Sequence, residues 1–190
     1  MRFLALGDSY TIGTGATDPS HAWPSIIAAR LGAELINPAV NGYTTEDLIR
    51  DELPLVRRLG PDLVTVLIGV NDLVQGRETQ AYRGSLRRIY DELAGTRVVA
   101  VSIPTWAYVP AAAGFGGASR VERLTRLFNQ EAQEEAAARG FLWVNIGPVS
   151  TSEVGSEGWI ASDGLHPGDR QYAAWAEVIW QALGDLKGLH

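Results

Sequence analysis

Short runs of apolar residues alternate along this chain with longer stretches in which apolar residues recur at helical spacing. The runs cover residues 3–6, 33–36, 63–68, 98–103 and 142–146. Their lengths and β-branched content are typical of strands buried on both faces. The helical stretches cover residues 22–31, 45–59, 79–93, 119–139 and 168–186. This alternation predicts an α/β fold, a three-layer α/β/α sandwich with a flavodoxin-like five-stranded parallel sheet.

The length of 190 residues suits one compact domain, which we expect to span residues 1–190. Hydrophobic residues make up 46% of the chain and charged residues 20%, which favours a globular protein over a disordered one. Residues 110–117 are small and glycine-rich, and we expect a mobile surface loop there. It either simply connects two elements or flanks a substrate cleft.

Charge and residue usage exclude several classes of function. The net charge of −6 offers no positive field for phosphate backbones, so nucleic acid is not an expected partner. The single lysine, Lys187, is near the C-terminus, which argues against lysine-based catalysis, and without cysteine no thiolate can act as nucleophile. No stretch of signal-peptide length precedes the first run, so a cytoplasmic protein without a membrane span is expected. The oligomeric state stays open.

Polar residues follow the predicted strands where ligands bind in open parallel sheets, beyond the carboxyl ends. Gly7, Asp8 and Ser9 follow the first run, and Asn41 and Gly42 follow the second. Residues 69–72, Gly-Val-Asn-Asp, follow the third run, and residues 163–166, Asp-Gly-Leu-His, precede the last helix. We expect these segments to meet at one edge of the sheet.

A serine hydroxyl needs an adjacent base to become a nucleophile at neutral pH. Of the three histidines, His190 is terminal and His21 has no carboxylate partner apparent in the sequence. His166 has Asp163 nearby, and a turn through Gly164 would bring the carboxylate to the imidazole. Pro167 suits the first position of the last helix, which would place His166 at the entrance of that helix.

The oxyanion of a tetrahedral intermediate requires hydrogen-bond donors. The sequence offers the backbone N–H groups of Ser9 and Gly42 and the side-chain amide of Asn71. Asn71 and Asp72 are also common turn residues, and Asp163 could equally cap the last helix. The four segments become specific through their order along the chain and through their positions after predicted strands and before the last helix.

Taken together, the four blocks resemble those of the SGNH hydrolases, the GDSL esterases and lipases, and they span most of the chain. The resemblance implies Ser9 as nucleophile, His166 as base, Asp163 as its orienter, and an oxyanion hole of Ser9, Gly42 and Asn71. The resemblance also implies that the enzyme works without a metal and without an organic cofactor. The chain departs from the family at Tyr10, where the family name records leucine, and after Gly42, where no further glycine follows.

The main functional hypothesis is hydrolysis of a small carboxylic ester or thioester through an acyl-enzyme. Removal of O-acetyl groups from a carbohydrate would use the same machinery. The alternatives outside this class are a flavin- or phosphate-binding module using the hydroxyl-rich loop 9–15, and a metal-dependent phosphoesterase. The metal would be held by a cluster of Asp8, Asp72, Asp163 and His166. Four aromatic side chains are candidates for the substrate pocket, although they could equally be core residues or surface residues of a loop: Tyr10, Trp106, Tyr108 and Phe115.

Overall fold

The computed structural model describes residues 1–184, and within them five strands form one sheet. The strands are Arg2–Gly7 (β1), Glu34–Ile36 (β2), Leu63–Leu67 (β3), Val98–Val101 (β4) and Leu142–Val144 (β5). Neighbouring strands are parallel, in the order β2-β1-β3-β4-β5. This is the flavodoxin-like order, so the predicted fold class is confirmed.

Helices connect the strands and cover the sheet. The helices are Ser9–Ile12 (α1), Trp23–Leu31 (α2), Thr45–Asp47 (α3), Pro54–Leu59 (α4), Val70–Val74 (α5), Thr79–Glu92 (α6), Ala118–Ala137 (α7), Gly147–Ser150 (α8) and Asp169–Gly184 (α9). Helix α2 contacts α9, and α6 contacts α7. Right-handed crossovers put these two pairs on opposite faces of the sheet, because the strand order reverses direction between β1 and β3. None of the helices in residues 1–184 combines the length and the apolar character needed to cross a membrane.

Burial of the strands follows their position in the sheet. Every residue of β3 is buried, and in β1 only Arg2 is exposed, whereas all of β2 at the edge is exposed or half-buried. Central strands covered on both faces are continuously apolar, which is why their positions could be predicted. The strand order reverses between β1 and β3, so the residues that follow these two strands lie where such sheets bind ligands.

The predicted helix over residues 45–59 is divided in the structure. Helix α3 is followed by a π-helical turn, Leu48–Glu52, and α4 begins at Pro54. Proline has no N–H to continue a regular helix. The N–H of Leu53 instead donates to the carbonyl of Leu48 at 2.9 Å, which is the wider spacing of a π turn. Glu52, in this turn, is buried.

Two further expectations need correction. Residues 110–117 do not form an irregular loop, because Pro110–Phe115 is a 3₁₀ helix with Ala112 buried. Helix α9 begins at Asp169, and Pro167 pairs with Ile160 in an antiparallel bridge, so Pro167 is not the first helical residue. The predicted end of this helix at residue 186, Lys187 and His190 lie outside the described residues.

Candidate active site

Ser9 lies two residues after the end of β1, at the first position of α1. The carboxylate of Asp8 accepts the N–H of Tyr10 at 3.0 Å and caps this single turn. There is no room for a side chain at position 7, because a Cβ on Gly7 would lie 2.2 Å from Thr11 Oγ1. The Gly-Asp-Ser sequence therefore forms a tight strand-to-helix turn that holds Ser9 at the edge of the sheet.

His166 and Asp163 are joined by a short hydrogen bond. His166 Nδ1 lies 2.6 Å from Asp163 Oδ2, and Asp163 Oδ1 accepts the N–H groups of Leu165 and His166 at 2.9 Å each. Partial burial raises the pKa of Asp163, but the hydrogen bonds from His166 and Leu165 outweigh it and lower the pKa below its ordinary value. An ionised carboxylate at Nδ1 favours the tautomer with its proton there, which leaves Nε2 as the basic nitrogen.

The loop that carries His166 is closed by backbone hydrogen bonds. The N–H of Ala161 donates to the carbonyl of His166 at 2.8 Å, and the N–H of Gly168 donates to the carbonyl of Trp159 at 3.0 Å. Trp159 is buried, and its indole donates to the carbonyl of Ser150 at 3.0 Å. The imidazole is therefore supported by a rigid loop rather than by a helix entrance.

One pocket of about 210 Å³ brings together Ser9, Gly42, Asn71 and His166. Its other walls are Tyr10, Asn41, Val70, Val74, Trp106, Phe115 and Leu165. Within residues 1–184 no hydrogen bond joins the Ser9 hydroxyl to His166, although both side chains face the same pocket. Hydrogen bonds between catalytic groups are often long in the absence of substrate.

Two of the predicted oxyanion donors have free backbone N–H groups. Neither Ser9 nor Gly42 donates its N–H to another group within residues 1–184. Gly42 has φ of +83°, a left-handed backbone conformation that favours glycine. Lack of space is not the reason for glycine here, because a Cβ would meet no atom within 4 Å. The amide nitrogen of Asn71 lies 2.9 Å from the carbonyl oxygen of Tyr43 and 3.3 Å from Asp8 Oδ2.

Two buried carboxyl groups lie beneath the turn that carries Ser9. Burial raises the pKa of Asp8 to about 7, against the hydrogen bond from Tyr10, and the nearby Asp72 raises it further. Burial also raises the pKa of Glu52 to about 8. Glu52 Oε2 accepts the N–H of Gly7 at 2.9 Å, while Oε1 has no partner within the described part of the chain. Neither carboxyl group reaches solvent, so both act through the residues that they contact.

Three of the four candidate aromatic side chains line the pocket at Ser9, namely Tyr10, Trp106 and Phe115. Trp106 and Phe115 meet edge to face, with their ring centroids 5.6 Å apart. Tyr108 does not line this pocket. The Tyr108 hydroxyl donates to the carbonyl of Ser150 at 2.8 Å and lies 3.0 Å from the side-chain nitrogen of Gln171. Because Ser150 is in α8 and Gln171 is in α9, Tyr108 links these two helices.

The residues of the hypothetical metal cluster are already engaged in hydrogen bonds within the protein. Asp72 is fully buried and accepts from the N–H and hydroxyl of Thr45 and from Arg77. Within residues 1–184 no three His, Cys, Asp or Glu side chains are grouped to hold a metal ion. Likewise, Asp8 already occupies an N–H of α1 that a bound phosphate would need.

His21, for which the sequence indicated no carboxylate partner, has one in the structure. Its Nδ1 lies 2.8 Å from Asp169 Oδ2, and Thr17 donates its N–H to Asp169 Oδ1 at 2.8 Å. Asp169 is distant in sequence, so only the folded chain brings these groups together. The cluster ties the segment after α1 to the start of α9, close to the loop of His166.

Sequence reasoning missed the apolar wall formed by Val70, Val74 and Leu165. Val70 and Val74 are four residues apart in α5, on either side of Asn71. That spacing is a helical signal, but α5 is too short to show a periodic pattern. Leu165 lies within the block that carries Asp163 and His166, where it was not assigned a role.

Comparison with known proteins identifies the class of this chain. The profile of the GDSL-like lipase/acylhydrolase family matches residues 5–174. A search of curated proteins finds no significant match. Among solved structures, TesA is 22% identical, with a TM-score of 0.76 over 98% of this chain and 99% of that chain. The lipase/acylhydrolase from Enterococcus faecalis is 24% identical, with a TM-score of 0.77 over 98% of each chain.

A third solved structure is a catalytic mutant of Axe2, an acetylxylan esterase from Geobacillus stearothermophilus. It is 16% identical, with a TM-score of 0.78 over 96% of this chain and 94% of that chain. Structural likeness at such identities shows a shared fold. The match to the family covers most of the chain, and the chain belongs to the GDSL-like lipase/acylhydrolase family. It is a carboxylic ester hydrolase.

Proposed function

We propose that this hydrolase cleaves small carboxylic esters or thioesters through an acyl-enzyme on Ser9. His166 Nε2 takes the proton of the Ser9 hydroxyl as Oγ attacks the carbonyl carbon, and Asp163 stabilises the imidazolium. The observation that carries the proposal is the common pocket of Ser9 and His166, together with the 2.6 Å contact between His166 and Asp163.

The oxyanion formed by this attack is held by the N–H groups of Ser9 and Gly42 and by the Asn71 amide. The two backbone N–H groups make no other hydrogen bond in residues 1–184, which supports this role. One N–H of Asn71 is engaged by Tyr43. The other has only the longer, 3.3 Å contact to Asp8, and we assign this N–H to the oxyanion.

Collapse of the tetrahedral intermediate breaks the bond between the acyl carbon and the leaving oxygen or sulfur, which receives the proton from His166. Water then attacks the acyl-enzyme, His166 accepts its proton, and Ser9 is released with that proton restored. The acyl group contacts largely apolar walls, among them Val70, Val74 and Trp106, which favours a small acyl group without charge.

The test is Ser9→Ala, assayed with p-nitrophenyl esters, acyl thioesters and acetylated sugars in parallel with wild type. We expect kcat to fall by a factor of about 10³ or more on every substrate that wild type cleaves. Ser152→Ala is the matched control, because Ser152 is exposed and lies outside the pocket. A fluorophosphonate probe should label wild type and Ser152→Ala but not Ser9→Ala.

Turnover retained by Ser9→Ala would refute the proposal, provided that its circular dichroism matches wild type. Asp163→Asn tests the orienter: the amide keeps the shape but loses the charge, and we expect kcat to fall by orders of magnitude, as for such a change in a Ser-His-Asp triad. Cleavage restricted to acetylated sugars would select carbohydrate O-acetyl esters as the substrate. The enzyme is proposed to work without a metal or cofactor, so exhaustive chelation should leave the rate unchanged.

A further inference from the structure

A second cavity, larger than the pocket at Ser9, lies beyond the carboxyl ends of β4 and β5. Its volume is about 440 Å³, and α7 forms one wall. Trp106 is buried and lines both cavities, so its side chain separates them. We propose that this cavity is a second ligand-binding site, distinct from the hydrolytic centre, and that it binds a polyhydroxylated ligand such as a saccharide unit.

The charged side chains of the cavity are not paired with each other. Glu122 and Arg126 both line it and are one helical turn apart in α7, yet no ion pair within 4.0 Å joins them in residues 1–184. Glu135 and Arg139, at the same spacing, do pair, with 2.9 Å between nitrogen and oxygen. Neither the Glu122 nor the Arg126 side chain forms a hydrogen bond or ion pair with any other group in the described part of the chain, so both the carboxylate and the guanidinium are available to a ligand.

Neutral polar groups on the other walls add further hydrogen-bonding capacity. Gln133 and the Thr105 hydroxyl make no side-chain hydrogen bond within residues 1–184. Asn145 Oδ1 accepts the N–H of Gly147 at 2.9 Å and the Ser102 hydroxyl at 3.2 Å, while the amide nitrogen of Asn145 makes no hydrogen bond to any group from residue 1 to residue 184. The ligand must supply both donors and acceptors, and hydroxyl groups are both.

Trp143 provides a flat surface in the same cavity. It lies in β5, is half-buried, and its indole N–H has no partner among residues 1–184. The buried indoles, by contrast, each donate to a protein oxygen: Trp23, Trp106, Trp159 and Trp175. An aromatic face can pack against the C–H face of a sugar ring while the indole N–H donates to a hydroxyl.

The charge and polarity of the cavity argue against other ligands. An acyl chain would remove many polar groups from water without replacing their hydrogen bonds, which is costly. A phosphate would be opposed by Glu122 and by the net charge of −6. A neutral polyol meets neither obstacle, because its hydroxyl groups replace water while its carbon face contacts Trp143.

Isothermal titration with neutral disaccharides tests the site, using cellobiose, xylobiose and maltose at millimolar concentrations. We expect at least one to bind wild type, and the double variant Arg126→Ala/Gln133→Ala to bind it about tenfold or more weakly, for the loss of two hydrogen-bonding groups. Arg123→Ala is the matched control, since Arg123 is also an exposed arginine of α7 but does not line the cavity. The rate of p-nitrophenyl acetate hydrolysis should be the same in wild type, in the double variant and in Arg123→Ala.

Trp143→Phe keeps an aromatic ring and removes the N–H, so it should weaken binding without abolishing it. Ser9→Ala should bind the disaccharide like wild type, which separates this site from the proposed hydrolytic mechanism. Failure of all three disaccharides to bind the folded wild type would overturn the proposal. So would wild-type affinity in the double variant, or equal weakening by Arg123→Ala.

Discussion

Replacing Glu52 with glutamine should change the pH dependence of stability. Its pKa is raised from 4.5 to about 8 by burial, so the folded protein keeps a proton that the unfolded chain releases. The stability contributed by this group is complete below pH 4.5 and is lost as the pH rises towards about 8. At about 1.4 kcal/mol per pH unit for one proton, wild type should lose about 2.5 kcal/mol between pH 5 and pH 7 through this group.

Glu52→Gln keeps an oxygen to accept the N–H of Gly7 and has no proton to lose. The glutamine amide nitrogen would have no hydrogen-bond partner among the described residues, as Oε1 has none now, but this energetic cost does not change with pH. The free energy of unfolding, measured in urea at pH 5, 6 and 7, should therefore rise relative to wild type by about 2.5 kcal/mol across the range. Glu157→Gln, an exposed glutamate, is the control and should follow wild type. If the difference in free energy of unfolding between Glu52→Gln and wild type is the same at pH 5, 6 and 7, the raised pKa of Glu52 does not control the pH dependence of stability.

Three other substitutions test the supports and walls of the site. Gly15→Ala should lower kcat about 100-fold, because its Cβ would lie 2.6 Å from the Pro167 carbonyl oxygen and 3.0 Å from His166 Cβ, displacing the imidazole. Arg77→Ala should lower the free energy of unfolding, measured by chemical denaturation, by about 3 kcal/mol, because it leaves the buried carboxylate of Asp72 without its cation. Phe115→Ala should raise the ratio of kcat/KM for hexanoate over acetate esters about tenfold, since it opens the pocket to an adjacent cavity of about 250 Å³.

Each of these variants has a control in the same chain. Gly76→Ala also has positive φ but meets no atoms within 4 Å, so it should leave kcat unchanged, and an equal loss would contradict displacement of His166. Arg58→Ala removes an exposed arginine and should change the free energy of unfolding little. If Arg77→Ala lowers the free energy of unfolding no more than Arg58→Ala does, the proposed role of Arg77 beside Asp72 is wrong. Leu127→Ala removes an exposed apolar side chain of α7 and is the control for Phe115→Ala. If both variants have the same ratio of kcat/KM for hexanoate over acetate esters, Phe115 has no special role in the pocket.

Local sequence was sufficient wherever a feature depends on neighbouring residues. The buried strands β1 and β3 are almost entirely apolar because helices cover both of their faces, with Arg2 and Thr65 as the exceptions, so their positions were predictable. The contact between Asp163 and His166 spans three residues, and a turn through Gly164 makes it local. The break before Pro54 was also within reach, because proline cannot donate to a helix, but the π turn that buries Glu52 was not.

Chain order and residue type determined the sheet, the polar residues at its edge, and the pairing of His166 with Asp163. The tertiary structure alone decided contacts that no sequence pattern predicts: His21 with Asp169, and Tyr108 with Ser150 rather than with the pocket at Ser9. Periodicity reports which face of an element is buried, but not which other element covers it. Contacts between distant segments depend on how the layers pack, and packing is a property of the whole folded chain.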